Sequence, residues 1–526
     1  MKDRILKLYP TADYTRFENL INYWKQKQFE KVNKVDEQTI YMITYGDSIY
    51  KEGKPSAITL KNFMDKYLKG IITDIHLLPM FEYTSDDGFS VVDYNKIDPN
   101  IGDWDDIKSL SQDYRLMYDF VANHVSQSND IFKKFLSNEP EYKDFFIEFD
   151  EDFDYSKVVR PRTSPLFHDY ENNHKVLSTF SKDQVDLNFC SYDVFLYTTD
   201  ILLSYAYNGA TSIRLDAIGF IWKESGTGCM HLPQAHEIIK LWRLILDDIK
   251  PNTQIITETN VPHIENISYF GDNDEANMVY QFALPPLVLH TFINGDATKL
   301  SEWAKTIHPI SDTATYFNFL SSHDGIGLRP TEGILTDEER IVLVNRVEKN
   351  GGKVSYKQNV DGTQSVYELN INYHDALVDN SYDVETQIKM IKAANSILLS
   401  VIGVPAIYYN TLLGSRNDYK GLEESGINRR INREKFDYDN LVTQLEQDTR
   451  RNTIFNELCK MIQERKKYPE FNPYEQQIIL NIDPRVFCLL RGDDSKVLFI
   501  VNVTNSVVDY TEEALSPYEF KWIRLD

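Results

Sequence analysis

The sequence predicts an α/β fold: a (β/α)8 TIM barrel with two insertions over its C-terminal face and a small C-terminal antiparallel β-domain. Three observations carry this. Eight short apolar runs recur along the chain, helical periodicity fills several of the intervals, and two intervals are too long for ordinary loops. The runs are TIYMITYG (39–46), ITDIHLLPM (72–80), RLMYDFVANH (115–124), ATSIRLDA (210–217), TQIITETN (253–260), NMVYQF (277–282), TYFNFLSSHD (315–324) and VIGVPAIYY (401–409). Strands alternating with amphipathic segments such as LPQAHEIIKLWRLILDDI (232–249) pair in parallel through right-handed crossovers.

The barrel is expected from residues 1–124, 191–325 and 380–469. The first insertion, 125–190, is rich in acidic residues, aromatics and proline, and the second, 326–379, carries NGGKVSYKQNVDGTQSVYELN. Both are read as excursions over one barrel face, a fold that tolerates such additions. From 470 to 526 the runs QQIILNI, RVFCLLRG, KVLFIVNVT and FKWIRL suggest the terminal β-domain.

The chain has 526 residues, 42% of them hydrophobic and 13% aromatic, as expected of a folded globular protein longer than one simple core. A formal charge of −24 argues against a nucleic-acid surface and against an anionic membrane. The opening MKDRILKLYPTADY has no apolar core of the secretory kind. The most apolar stretch, ILLSVIGVPAIYY (397–409), is short and interrupted by Pro405, so it reads as a buried strand rather than a membrane span. The four cysteines show no CxxC spacing, which suits reduced thiols in a cytoplasmic protein. No low-complexity tract or short repeat is present, and the residues do not specify an oligomeric state.

Polar residues sit where barrel enzymes build their sites. His124 ends the third run, Asp216 closes the fourth, Glu258 nearly ends the fifth, and His323 and Asp324 end the seventh. Any one of these could be a structural charge. Three carboxylates from separate strands are harder to explain so, because buried carboxylates are costly without partners. Without a cysteine or histidine cluster, they suit glycosidic chemistry: one carboxylate attacks the anomeric carbon and another protonates the leaving oxygen. Retaining enzymes hold that pair about 5–5.5 Å apart. Arg214, two residues before Asp216, shares its strand face and would keep it ionised and aimed.

The segments DFVANH (119–124), SIRLDA (212–217), ITETN (256–260) and FLSSHD (319–324) resemble the four signature regions of the α-amylase family, glycoside hydrolase family 13. FSKDQVDLNF (180–189), ETNVPHIENISYFG (258–271), HDGIGLRP (323–330) and INR (431–433) look like its sucrose phosphorylase branch, which contains phosphorylases of sucrose, sucrose 6′-phosphate, glucosylglycerol and glucosylglycerate.

The resemblance implies roles. Asp216 would be the nucleophile, Glu258 the general acid/base and Asp324 the transition-state stabiliser. Asp86 and Arg433 would bind the far edge of the glucose; taken alone, Asp86 in SDDGF reads as a turn residue and Arg433 as a surface charge. His124 and His323 would hydrogen-bond hydroxyls, with Phe89 and Phe180 packing on the sugar and Gln184 nearby, although each could equally be core. Asn123 matches a position that ligates calcium in many amylases, but the branch is generally metal-free, so neither metal nor other cofactor is expected.

The triad leaves the second substrate open. Water would make the chain an α-glucosidase, a sugar a transglucosidase, and inorganic phosphate a phosphorylase. Phosphate needs local positive charge, which VVRPRTSP supplies in Arg160 and Arg162; Arg162 corresponds to a phosphate-contacting loop arginine of the branch. Sucrose-acting members usually carry a histidine where this chain has Asn260, and an aspartate where Ser365 precedes Tyr367. Those positions, with Tyr367, border the leaving group, and the ETNVPH and DGTxSxYE patterns look more like the glucosylglycerate and glucosylglycerol members. A glycerate carboxylate would want a cation there; Gln364 is close in sequence, and Lys353, Lys357 or a first-insertion arginine could provide the charge.

Overall fold

The computed structural model describes residues 1–359, 362–510 and 513–525. Eight parallel strands close into a barrel: β1 (Tyr41–Thr44), β2 (Asp74–Leu77), β3 (Arg115–Phe120), β4 (Ala210–Leu215), β5 (Gln254–Thr257), β6 (Met278–Tyr280), β7 (Thr315–Asn318) and β8 (Val404–Tyr408). Each follows its predecessor around the ring, and Tyr41 pairs with Ala406 to close it. Residues such as Ile213, Leu215, Ile255, Ile256 and Val279 are fully buried, because parallel strands covered by helices present apolar side chains on both faces.

All eight strands lie inside the predicted runs, but several runs outlast their strands. β3 stops at Phe120, so His124 begins a separate two-residue pairing with Asp186 instead of ending the strand. β7 stops at Asn318, six residues before Asp324. Beyond it, Ser321 Oγ bonds to Thr411 Oγ1 at 2.6 Å and Ser322 Oγ accepts from the Asp324 N–H at 3.2 Å. Hydroxyls that bond locally compete with the strand ladder. In the apolar stretch 397–409, residues to Ser400 finish the helix Val384–Ser400 and only β8 is strand.

The amphipathic segment forms the helix Pro233–Ile249. Between β3 and β4 the chain carries the helix Asp130–Leu136, a hairpin of Phe167–Asp169 with Lys175–Leu177, and the helix Tyr192–Tyr207 that returns to the barrel. Beyond β7, Ile326–Gly327, Gln364–Asn370 and Lys353–Gln358 form a three-stranded sheet; the start of the DGTxSxYE pattern, Asp361, lies outside the described residues. Near the C-terminus β9 (Gln477–Ile479), β10 (Val486–Arg491), β11 (Lys496–Asn502) and β12 (Phe520–Leu525) make an antiparallel sheet. A further pairing of Val508–Tyr510 with Glu513–Leu515 has no counterpart in the sequence reading. The four cysteines are unpaired, and among the described residues no helix is long and apolar enough to cross a membrane.

Candidate active site

Register brings the first charges together. Arg214 of β4 pairs across the sheet with Asp119 of β3, and Asp216 follows two residues later on the same face. Arg214 Nη1 lies 2.6 Å from Asp119 Oδ1 and 2.8 Å from Asp216 Oδ1, while Nη2 is 3.8 Å from Glu258 Oε2. One buried guanidinium therefore spans both carboxylates that end neighbouring strands. Asp119 is also held by His76 Nε2 at 3.0 Å, so the cation has a fixed anchor beneath it. After Asp216 the backbone turns sharply, with Ala217 at a left-handed φ of 47°, and the Ala217 N–H donates to Glu258 Oε2 at 3.0 Å.

Asp324 is set by a second guanidinium. Arg429 Nη1 lies 2.8 Å from Asp324 Oδ1, while its Nε and Nη2 donate to the two Glu368 oxygens at 2.8 and 2.9 Å. Asp216, Glu258 and Asp324 all line one cleft of about 840 Å³, mouth included.

These groups do not titrate alike. Burial raises Asp216 well above the ordinary carboxylate range; Arg214 opposes this, and Glu258, Asp119 and Asp324 add to it. Glu258 is likewise raised by burial, again opposed by Arg214. For Asp324 burial also works upward, but Arg429, Arg214, Arg433 and Arg162 outweigh it and hold the carboxyl low. Asp216 and Glu258 thus share a tightly held proton while Asp324 stays ionised. The guanidinium is 2.8 Å from Asp216 and 3.8 Å from Glu258, which favours the proton on Glu258.

A second wall holds Asp86, Phe89, His124, Phe180, Gln184 and His323. Gly88 makes the turn into it: its φ is 110°, and a side chain there would meet the Pro79 carbonyl oxygen at 2.7 Å. Phe89 consequently stacks on His323 at 4.9 Å with the rings 6° from parallel. Gln184 Nε2 donates to Asp86 Oδ2 at 3.3 Å. Both ring nitrogens of His124 are engaged, Nε2 with the Phe89 carbonyl at 3.0 Å and Nδ1 with Asn123 Nδ2 at 3.2 Å, so a sugar hydroxyl would have to displace one of them. His323 Nδ1 is buried without a partner. Burial, helped by Arg214, Arg433 and Arg429, holds this imidazole neutral.

Arg214 and Arg433 are not among the lining residues. Arg433 is wholly buried behind the wall: Nη1 is 2.6 Å from Asp87 Oδ2 and 3.7 Å from Asp86 Oδ1, and Nε donates to the His323 carbonyl at 2.8 Å. It steadies the wall through these contacts, and its Nη2 is buried with no hydrogen-bond partner.

The third side is basic. Arg160, Arg162, Arg329, Lys357 and Arg429 all line it, with Asn260 and Tyr367. The Arg162 guanidinium lies over the rings of Phe180 and Tyr367, at 5.9 and 5.5 Å from their centroids. Arg160 donates to the Ser164 carbonyl. Asn260 packs on Gly327, where an added Cβ would meet Asn260 Oδ1 at 2.5 Å.

Asn123 accepts a hydrogen bond from Lys223 Nζ at 3.0 Å, and the same ammonium pairs with Asp186 at 2.8 Å. A protein cation thus joins the oxygens that a metal would need, and no cluster of metal-ligating side chains occurs among the described residues. The sequence reading missed Asp87, Asp119, Lys223, Glu368 and Arg429. For two of them the signal was adjacent: Asp87 in DDG and Arg429 in NRRINR.

With this geometry in view, the chain's relatives can be placed. The family model of the alpha amylase catalytic domain matches residues 58–332. A glucosylglycerate phosphorylase of Spirochaeta thermophila is 45% identical over 478 residues, 90% of this chain and 81% of that protein. A glucosylglycerate phosphorylase of Escherichia coli is 42% identical over 516 residues, 93% of this chain and 92% of that protein. The crystal structure of sucrose 6F-phosphate phosphorylase from Thermoanaerobacter thermosaccharolyticum has the same fold, with a TM-score of 0.79 at 24% identity over 94% of this chain and 97% of that one. The chain belongs to the α-amylase family, glycoside hydrolase family 13.

Proposed function

We propose that the protein is a retaining α-glucoside phosphorylase that converts a small 1,2-linked α-glucoside and inorganic phosphate to α-glucose 1-phosphate and the free acceptor, with glucosylglycerate the first choice of substrate. The observation that carries this is the pairing of two features in one cleft. Three carboxylates line it, and Arg162 lies against two aromatic rings in the same cleft with no ion pair to a carboxylate among the described residues. Glucosylglycerol and sucrose come next as substrates; a retaining α-glucosidase or transglucosidase is the alternative.

In the first step Asp216 attacks the anomeric carbon from the β face as Glu258 gives its proton to the glycosidic oxygen. The acceptor departs, leaving a β-glucosyl ester on Asp216. Asp324, kept ionised by Arg429, stabilises the positive charge of the oxocarbenium-like transition state. Asp86, Gln184, His323 and Phe89 grip the glucose, and His124 and Phe180 close its side. Arg162 then receives dihydrogen phosphate; Glu258, now ionised, removes a proton as a phosphate oxygen displaces Asp216. Two inversions return the α configuration. Inorganic phosphate as a substrate and four unpaired thiols suit the cytoplasm.

The test is to supply 2-O-α-glucosylglycerate with and without phosphate. Phosphate-dependent formation of glucose 1-phosphate is expected; equal release of free glucose in both cases would leave a hydrolase.

A further inference from the structure

We propose that Arg329 and Lys357 are the specificity-determining residues for the acceptor, a cation pair that binds the carboxylate of a 2-hydroxy acid on the far side of the scissile bond. The inference rests on the phosphorylase reading and deepens it.

Position comes first. Arg329 opens the short turn Arg329–Thr331, and Lys357 lies on the strand Lys353–Gln358. Both line the cleft that holds the three carboxylates. With Arg160, both also line an outer vestibule walled by Phe149, Tyr155 and Phe167. They therefore stand where the cleft meets the vestibule, beside a path an acceptor can take.

Charge comes second. Arg214, Arg429 and Arg433 each meet a carboxylate at 2.6–2.8 Å. Arg329 and Lys357 do not. Arg329 reaches Glu265 only at 3.6 Å and Met230 Sδ at 4.0 Å, and its Nε is buried with no hydrogen-bond partner. Lys357 Nζ is 4.0 Å from Glu332. Their side chains are only 17% and 21% exposed. Burial, then the charge of Arg329, lowers the Lys357 pKa. Two half-buried cations that repel one another are costly unless an anion joins them. In a chain with 80 acidic and 56 basic residues, a tight partner was not scarce. The residue opposite Lys357 across the ladder is Ser365, small and uncharged, so the sheet adds no counter-charge to the distant Glu332.

The pair suits a carboxylate better than the attacking phosphate. Phosphate must reach the anomeric carbon itself, and Arg162 is close enough to the triad for its charge to help hold Asp324 ionised. Neither Arg329 nor Lys357 is among the charges that hold Asp324 low, and both also line the vestibule. A 2-linked hydroxy acid places its carboxylate one carbon beyond the glycosidic oxygen, toward the vestibule. Asn260, whose Oδ1 is buried without a partner and packs on Gly327, two residues before Arg329, offers an acceptor for a hydroxyl of the same ligand.

The experiment is synthesis from α-glucose 1-phosphate by the full chain with glycerate or glycerol as acceptor. Alongside it, isotope exchange between labelled phosphate and α-glucose 1-phosphate reads the glucosyl-enzyme without any acceptor. Arg329→Gln and Lys357→Met should each lower the glycerate-to-glycerol ratio of kcat/KM by about tenfold or more, the worth of a charge-assisted hydrogen bond. The KM for glycerate should rise more than the KM for phosphate in the exchange. Ser365→Asp, which keeps both cations but sets a carboxylate across from Lys357, should lower the same ratio. Equal losses with glycerate and glycerol, or a phosphate KM that rises as much as the glycerate KM, would overturn the assignment. Normal wild-type exchange with an unchanged ratio in all three variants would sink this inference alone. No exchange in the wild type would sink the phosphorylase reading and the inference with it.

Discussion

Arg214 Nη1, near the end of β4, lies 2.8 Å from Oδ1 of Asp216, the residue that directly follows the strand. Because Asp119 shares that nitrogen at 2.6 Å, the guanidinium cannot swing away from Asp216, the proposed nucleophile, without breaking a buried pair. Arg214→Met should therefore cost about 3–5 kcal/mol in chemical denaturation, the usual result of stranding a buried charge. It should also lower kcat by about a hundredfold or more as the nucleophile loses its counter-charge. A variant of unchanged stability and turnover would mean that the pair is incidental.

Asp216→Asn should behave in the opposite way for stability. Burial raises both Asp216 and Glu258, so the folded chain holds their shared proton more tightly than the unfolded chain does. Stability from this group is complete below its unfolded pKa and is lost as pH rises through its folded pKa. An amide removes that loss. The variant should melt at or above the wild-type temperature, with the gap widening in calorimetry as pH rises above the ordinary carboxylate range. Its turnover should fall by about 10⁴-fold or more.

Arg429 is what keeps Asp324 ionised against burial. Arg429→Gln should raise the Asp324 pKa and move the acid limb of the kcat/KM profile upward by about one unit or more. An unmoved limb would assign that limb to another group.

Lys223 bonds Asn123 beside β3 to Asp186 of the following segment through one ammonium. Chelators should leave activity and melting temperature unchanged. Lys223→Met should strand the buried Asp186 carboxylate and cost about 3–5 kcal/mol by denaturant titration. Chelator-sensitive activity restored by calcium would contradict this assignment.

The barrel was legible because each strand lies in a local apolar run and several crossovers carry helical periodicity. Asp216 and Glu258 were legible because they directly follow β4 and β5. Other parts depend on pairs that no local pattern shows. Asp87 meets Arg433 across 346 positions and Arg214 meets Asp119 across 95, so neither partner marks the other. His124 and Asp324 were placed on strands because apolar residues continue past the point where the ladder stops. The turn at 86–88 was legible in DDG, but the pairing of Arg433 with Asp86 and Asp87 was not, because it joins distant parts of the chain.

The most direct test of the whole account is to find which carboxylate carries the sugar. Glu258→Gln incubated with α-glucosyl fluoride can form the ester, because fluoride leaves with little acid assistance, but lacks the base that would discharge it to phosphate or water. Acid quenching and peptide mass mapping should find one glucosyl unit, attached to Asp216. A glucosyl unit on Asp324 instead, or no adduct together with a product of inverted configuration, would contradict the account.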